Sequence, residues 1–229
     1  MVKLSTIIKA KAQLKAVQAL TYILPVSHPL VFAGPNSALN LCDNIQQLDM
    51  KKVLIVTDEV LLKLGVIQPL QSKLEQANIQ VTIFSEVKPD PTFEVVEKAI
   101  QLFTSSQSDS VLAVGGGSTI DTSKVLALAA ANNKSPKQLI GILKARKPSF
   151  PLFVIPTTAG TGSEVTVAAV LSDNETHVKS LVIDHKVVPL ATALDPVIMQ
   201  GMPPTITADT GIDALTHALE SWVSEFANQ

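Results

Sequence analysis

A single cysteine, Cys42, rules out any disulfide within this 229-residue chain. A reducing, cytoplasmic setting is therefore the default expectation. Arginine is almost missing: of eighteen basic residues only Arg146 is an arginine. That argues against a site gripping phosphates with guanidinium forks and for one that uses backbone N–H groups. Neither sign of charge is in excess, at a net −2, so bulk charge draws the chain to neither nucleic acid nor a membrane surface. No apolar run reaches the ~18 residues that would span a bilayer. Internal repeats and low-complexity tracts are absent, as is the G-x-G-x-x-G pattern usual in dinucleotide sites.

What is present is a chain 46% hydrophobic, enough for a sizeable core in one large domain or two small ones. Residues 1–25 scatter lysines at 3, 9, 11 and 15 among apolar positions. They lack the compact block and cleavage site of a secretory signal, and read as an amphipathic helix lying on the body or on a partner subunit. From residue 51 the pattern alternates. KVLIVTDE (52–59), IQVTIFSEV (79–87), SVLAV (110–114) and PLFVIP (151–156) read as buried strands. Between them, helices are expected at about 61–76, at 90–103 with Pro91 at its start, and at 119–132. Such alternation predicts a parallel sheet with helices on both faces, an α/β Rossmann-like fold. Beyond Pro156 the segments 166–173 and 179–185 look like paired strands, and 190–194 like a short one. A helix begins near Thr207, and a domain boundary is placed near residue 205.

Three stretches carry candidate chemistry. Gly115, Gly116 and Gly117 stand between a strand and a helix, where a pyrophosphate could meet free N–H groups and the positive end of the helix dipole. A tight turn without any ligand reads equally well, and Asp121 and Lys124 in the same helix could form a structural ion pair. The loop PTTAGTGSEVT (156–166) follows a strand end and is rich in hydroxyls, so it suits a cofactor, or merely connects. Asp58 closes the first of these strands, as a ribose-binding acid or an ordinary turn residue. In GIDALTHALESW (211–222), Asp213 and His217 share one helical face. They could begin a metal site or form a solvated surface pair. Ile212, Leu215, Leu219, Trp222, Val223 and Phe226 fall on a second arc, read as core.

Together, VLIVTD, GGGSTIDTSK, PTTAGTGSEVT, LDP and TGIDALTHALESW resemble the iron-containing (group III) alcohol dehydrogenase family in order and spacing, over roughly residues 25–225. The resemblance implies a dinucleotide-binding α/β domain over 1–205 and the start of a helical metal-binding domain, truncated, over 206–229. It implies NAD(H) held by Asp58, by Gly116, Gly117 and Ser118, by Thr157, Thr158, Thr161 and Ser163, and by Lys179 near the nicotinamide ribose. Asp213 and His217 match the first two ligands of an Asp-His-His-His site for Fe²⁺, with Zn²⁺ the alternative. The other two histidines have no counterpart among His28, His177 and His185. The chain thus looks like an N-terminal portion of a longer, homo-oligomeric protein that oxidises a primary alcohol or reduces an aldehyde. The alternatives are an NAD-binding module without turnover, or a relative resembling glycerol dehydrogenase or maleylacetate reductase.

Overall fold

A computed structural model describes residues 28–174, 176 and 178–224. The amphipathic N-terminal helix and Phe226 lie outside the described residues. Among the described residues nine strands and seven α-helices follow one another: β1 (Leu30–Ala33), α1 (Ser37–Gln47), β2 (Lys52–Asp58), α2 (Glu59–Lys63), α3 (Gln68–Gln76), β3 (Gln80–Val87), α4 (Phe93–Ser105), β4 (Ser110–Gly115), α5 (Gly117–Asn132), β5 (Gly141–Ile142), β6 (Leu152–Pro156), β7 (Ala168–Ser172), β8 (Lys179–Ile183), β9 (Ala191–Leu194), α6 (Pro196–Met199) and α7 (Pro204–Val223). Among the described residues no helix is long and apolar enough to cross a membrane.

Six strands form one parallel sheet in the order β1-β9-β6-β4-β2-β3. Alternation along each central strand sends side chains to opposite faces. Val53, Ile55, Leu112, Val114, Phe153 and Ile155 pack under α1 and α3. Leu54, Val56, Val111, Ala113, Leu152 and Val154 pack under α4 and α5. Both faces being covered, these strands are continuous apolar runs. The chain leaves β2 for β3 on one side, then crosses back to β4 on the other. That reversal opens a crevice at the carboxyl ends of β2 and β4, where α/β sheets bind ligands. Asp58 ends one of these strands and Gly115 the other. A smaller sheet, β5-β8-β7, contains the expected antiparallel pair β7–β8 and packs on α5.

Several elements differ from the sequence expectation. The helix expected over 61–76 is two helices, interrupted at Gly65, whose φ of 74° is left-handed. The helix expected from residue 90 begins at Phe93, because Thr92 caps it by accepting the Val95 N–H, so Pro91 lies ahead of its first turn. The sequence reading did not identify β1 and α1. Pairing β1 with β9 requires a partner about 160 residues away, which no local pattern announces. That join is secured by one carboxylate. Asp195, just past β9, accepts the N–H groups of Asn36 (3.2 Å) and Val197 (3.0 Å) on Oδ1 and of Ala38 (3.1 Å) on Oδ2. It thereby caps α1, whose N-cap Asn36 supplies no side-chain bond of its own.

Asp195 is 2% exposed, so replacing it with alanine leaves buried donors unpaired. Asp195→Ala is expected to lower unfolding free energy by about 2–4 kcal/mol in urea titration, and a loss below about 0.5 kcal/mol would contradict this account of the cap.

Candidate cofactor and metal site

The helix α5 starts without a side-chain cap. Its N-cap is Gly116, and its ladder opens with Thr119 and Ile120 donating to the Gly116 carbonyl. The helix itself therefore makes no use of the Gly117 and Ser118 N–H groups. Residues 116–118 are half-buried and open toward the crevice. A sixteen-residue helix adds its dipole to these donors, so the position suits an anion.

The glycines are needed there for space rather than for left-handed backbone. Gly116 sits at φ −79°, which any residue adopts. A Cβ on Gly116 would stand 3.2 Å from Thr158 Oγ1, and one on Gly117 would stand 3.0 Å from Thr161 Cγ2. The hydroxyl loop thus folds over the turn, and a hydrogen bond from Thr157 N–H to Gly115 O (3.0 Å) joins their roots. Thr158, Thr161 and Ser163 are half-buried beside the turn, while Thr157 is buried. Asp58, across the switch point, accepts the Leu61 N–H at 2.9 Å and so caps α2. Its other oxygen makes no hydrogen bond among the described residues. The turn role and the ribose role are thus compatible.

Lys179 stands apart from this group. It opens β8 and pairs with Asp90 at 3.0 Å in solvent. The register sets Lys179 against Ser172, while Ile183 faces Ala168 at the other end of the hairpin, beside the loop. Four residues of strand put about 13 Å between those ends.

Asp121 and Lys124 form no ion pair with each other, although the sequence left that alternative open. Lys124 is wholly buried, and its ammonium donates to Thr166 O, Thr166 Oγ1 and Ala168 O, each at 2.8 Å. Asp121 accepts the Val170 N–H at 3.0 Å on Oδ2. Its Oδ1 is buried and closes no hydrogen bond, although the Ser163 hydroxyl stands near enough to favour the charged form. Burial pushes the Asp121 carboxyl above its usual range, against the pull of the Val170 N–H and Lys124. Sequence reasoning noticed Lys124 only by spacing; a lysine flanked by Val125, Leu126 and the small residues that follow was the available signal.

The metal candidates lie on α7. His217 Nε2 is 3.7 Å from Asp213 Oδ1, both half-exposed. Two donors each about 2.1 Å from one tetrahedral ion would be about 3.4 Å apart, so the pair suits a shared ion. Carboxylate and imidazole also suit Fe²⁺ or Zn²⁺. Among the described residues, however, no group of three or more such donors exists. The pair therefore fits a metal as a partial ligand set. Its helix approaches the hydroxyl loop at Gly160, where a Cβ would lie 2.2 Å from Thr210 O. Thr210, Asp213 and His217 follow at intervals of three and four, on one face. That face meets the loop, and the two donors extend about 5–10 Å beyond the contact. The arc read as core is not buried: Ile212, Leu215, Leu219, Trp222 and Val223 are all exposed, Trp222 at 80%. Such a stripe is a contact surface.

The family model described as iron-containing alcohol dehydrogenase matches residues 29–196. Alcohol dehydrogenase 4 of Saccharomyces cerevisiae is 37% identical over 207 residues, covering 90% of this chain and 53% of that protein. A solved structure of 1,3-propanediol oxidoreductase superposes with a TM-score of 0.84 at 37% identity, over 90% of this chain and 55% of that one. Sulfoacetaldehyde reductase from Bifidobacterium kashiwanohense, solved in complex with NAD+, gives 0.82 at 28% identity, over 90% and 54%. The chain thus spans about half the length of the relatives it matches.

Two buried groups, Lys124 on α5 and Cys42 on α1 across the sheet, give the fold a defined pH response. Burial lowers Lys124 to about 8, although Asp121 and Glu164 favour its charged form. Burial raises the Cys42 thiol to about 12, reinforced by Asp43 and opposed by Lys73. Below pH 8 the fold bears the full cost of a buried ammonium. As pH rises past 8 the folded chain releases a proton that the unfolded chain keeps, so stability increases. Above about 9 the unfolded Cys42 ionises while the folded thiol does not, which works the other way. Urea unfolding should show stability rising by about 1 kcal/mol from pH 7 to 9 and levelling beyond. A flat or falling profile from 7 to 9 would contradict the burial of a charged Lys124.

Proposed function

The chain belongs to the iron-containing alcohol dehydrogenase family, and on that premise we propose that it forms the NAD(H)-binding part of an oxidoreductase that interconverts a small primary alcohol and its aldehyde. The observation that carries this reading is the uncapped start of α5 at the switch point, with Asp58 across the crevice. In this reading residues 1–205 bind the dinucleotide and residues 206–229 begin the metal-binding part.

Each residue has a task set by its chemistry. The Gly117 and Ser118 N–H groups donate to the pyrophosphate, and the α5 dipole favours its charge. The Asp58 oxygen not used as a cap accepts the adenosine ribose hydroxyls, and its charge repels a 2′-phosphate. Thr157, Thr158, Thr161 and Ser163 line the cofactor with small polar groups, whereas Lys179, paired with Asp90 at the far end of the hairpin, takes no part in this reading. Asp213, through a carboxylate oxygen, and His217, through Nε2, would hold the ion on the face of α7 that approaches the loop at Gly160. When bound, the ion would supply Lewis acidity at the alcohol oxygen, and the dinucleotide would supply a hydride acceptor for alcohol oxidation or a hydride donor for aldehyde reduction. The contact at Gly160 keeps the helix that holds one close to the loop that holds the other.

A second reading, a dinucleotide-binding module without turnover, is favoured by one observation: the described residues offer only two metal donors together. Both readings require the nucleotide site.

The test is calorimetric titration of the purified chain with NADH and NADPH. NADH is expected to bind at least about tenfold more tightly, about 1.4 kcal/mol. Asp58→Asn keeps an oxygen for the Leu61 N–H but loses the charge, so it should narrow that gap without loss of fold. Equal affinities in the unmodified chain would overturn the assignment of Asp58.

A further inference from the structure

Lys124 heads the fully buried side chains by size, and nothing in the proposed chemistry uses it. A buried ammonium is costly, and an apolar side chain of similar volume would often serve the core as well or better. What the ammonium achieves here is specific. Its three protons meet three acceptors, Thr166 O, Thr166 Oγ1 and Ala168 O, all within three residues of chain. One turn earlier on the same helix, Asp121 takes the Val170 N–H. Two side chains of opposite charge thus bind segment 166–170 to α5. That segment leads directly out of the hydroxyl loop, and the first turn of the same helix is the glycine cradle.

We propose that Lys124 is a positioning residue that latches the Thr157–Thr166 loop onto α5, fixing the loop over the glycine turn and so setting the affinity for the dinucleotide. This rests on the reading of turn and loop as an NAD(H) site. Met at 124 fills the space but donates nothing, so all three ammonium hydrogen bonds are lost and the loop is left tied down by Asp121 and by backbone bonds. Two charged groups face the ammonium, Asp121 from its own helix and Glu164 from the 3-10 turn Ser163–Val165. Strands β4, β6 and β7, packed on α5, carry no ionisable side chains. The charged residues of α4 are exposed, and Asp184, His185 and Lys186 beside α5 pair among themselves. Loss of the Lys124 proton removes one of its three donors, and so weakens the latch while relieving the cost of its charge.

The experiment measures NADH affinity by fluorescence titration and amide exchange across 157–170, for the unmodified chain, Lys124→Met and Thr166→Val, at pH 7 and pH 9. Lys124→Met is expected to weaken NADH at least about tenfold at pH 7, with faster exchange confined to 157–170 and an unchanged far-ultraviolet spectrum. Thr166→Val, which removes one acceptor, should weaken binding about threefold. The unmodified chain should bind about threefold more weakly at pH 9 than at pH 7, even as its folding stability rises. Lys124→Met should show no such pH dependence. A lysine that merely supported the fold would move affinity and stability together. If Lys124→Met does not fold, Thr166→Val and the pH profile decide alone. NADH affinity within twofold of the unmodified chain in the folded variants, or an affinity flat with pH, overturns the latch. Absence of NADH binding by the unmodified chain overturns the nucleotide-site reading itself, and the latch's role in affinity with it; faster loop exchange in Lys124→Met would still show the mechanical tie.

Discussion

A helix begins with N–H groups that it cannot satisfy itself, and the carboxyl side of the sheet is arranged around that deficit in α5. The sheet reverses its winding at β2 and β4, which leaves the start of α5 facing a crevice instead of another strand connection. Glycine at 116 and 117 leaves room for the hydroxyl loop, through Thr158 and Thr161, to lie against the turn, and Gly115 leaves room for Thr119 of α5. The loop in turn carries Gly160, where only a hydrogen fits against Thr210. A chain of close contacts therefore runs from the uncapped helix through the loop to the face of α7 that bears Asp213 and His217.

These contacts are tight because polar groups hold them at some cost to stability. A fully buried ammonium under segment 166–168 and a carboxylate with one unbonded oxygen beside it are poor choices for a core designed only to be stable. They are reasonable where a backbone segment must stay at one distance from its neighbour. Asp195 plays the corresponding part on the opposite side of the sheet, where its oxygens tie the N-terminus of α1 to the end of β9. The exposed apolar stripe of α7 contrasts with both. Its residues have helical period but no cover among the described residues, so period identified the helix and the stripe without locating its partner.

The central strands were legible because both their faces are buried and their apolar runs are unbroken. The hydroxyl loop and the Asp213–His217 spacing were each ambiguous alone and took on meaning only through their order along the chain with the other motifs. Local pattern failed where the cause is distant. β1 pairs with a strand some 160 residues on. The division of α2 from α3 depends on a left-handed Gly65 inside an otherwise helical pattern. Lys124 reads only as a candidate ion-pair partner of Asp121 until the fold brings Thr166 and Ala168 over it. The glycine turn read equally well as a pyrophosphate site or a tight turn without ligand; its backbone at Gly116 shows that glycine is there for space and not for a left-handed conformation.

The account rests on the first turn of α5 as the place where a dinucleotide's pyrophosphate is held. A crystal structure of the chain grown with NADH tests this most directly. The account predicts pyrophosphate oxygens within about 3.2 Å of the Gly117 and Ser118 nitrogens, with the loop 157–163 closed over them. A dinucleotide bound with its phosphates away from that turn, or only at a molecular contact of the lattice, would contradict it.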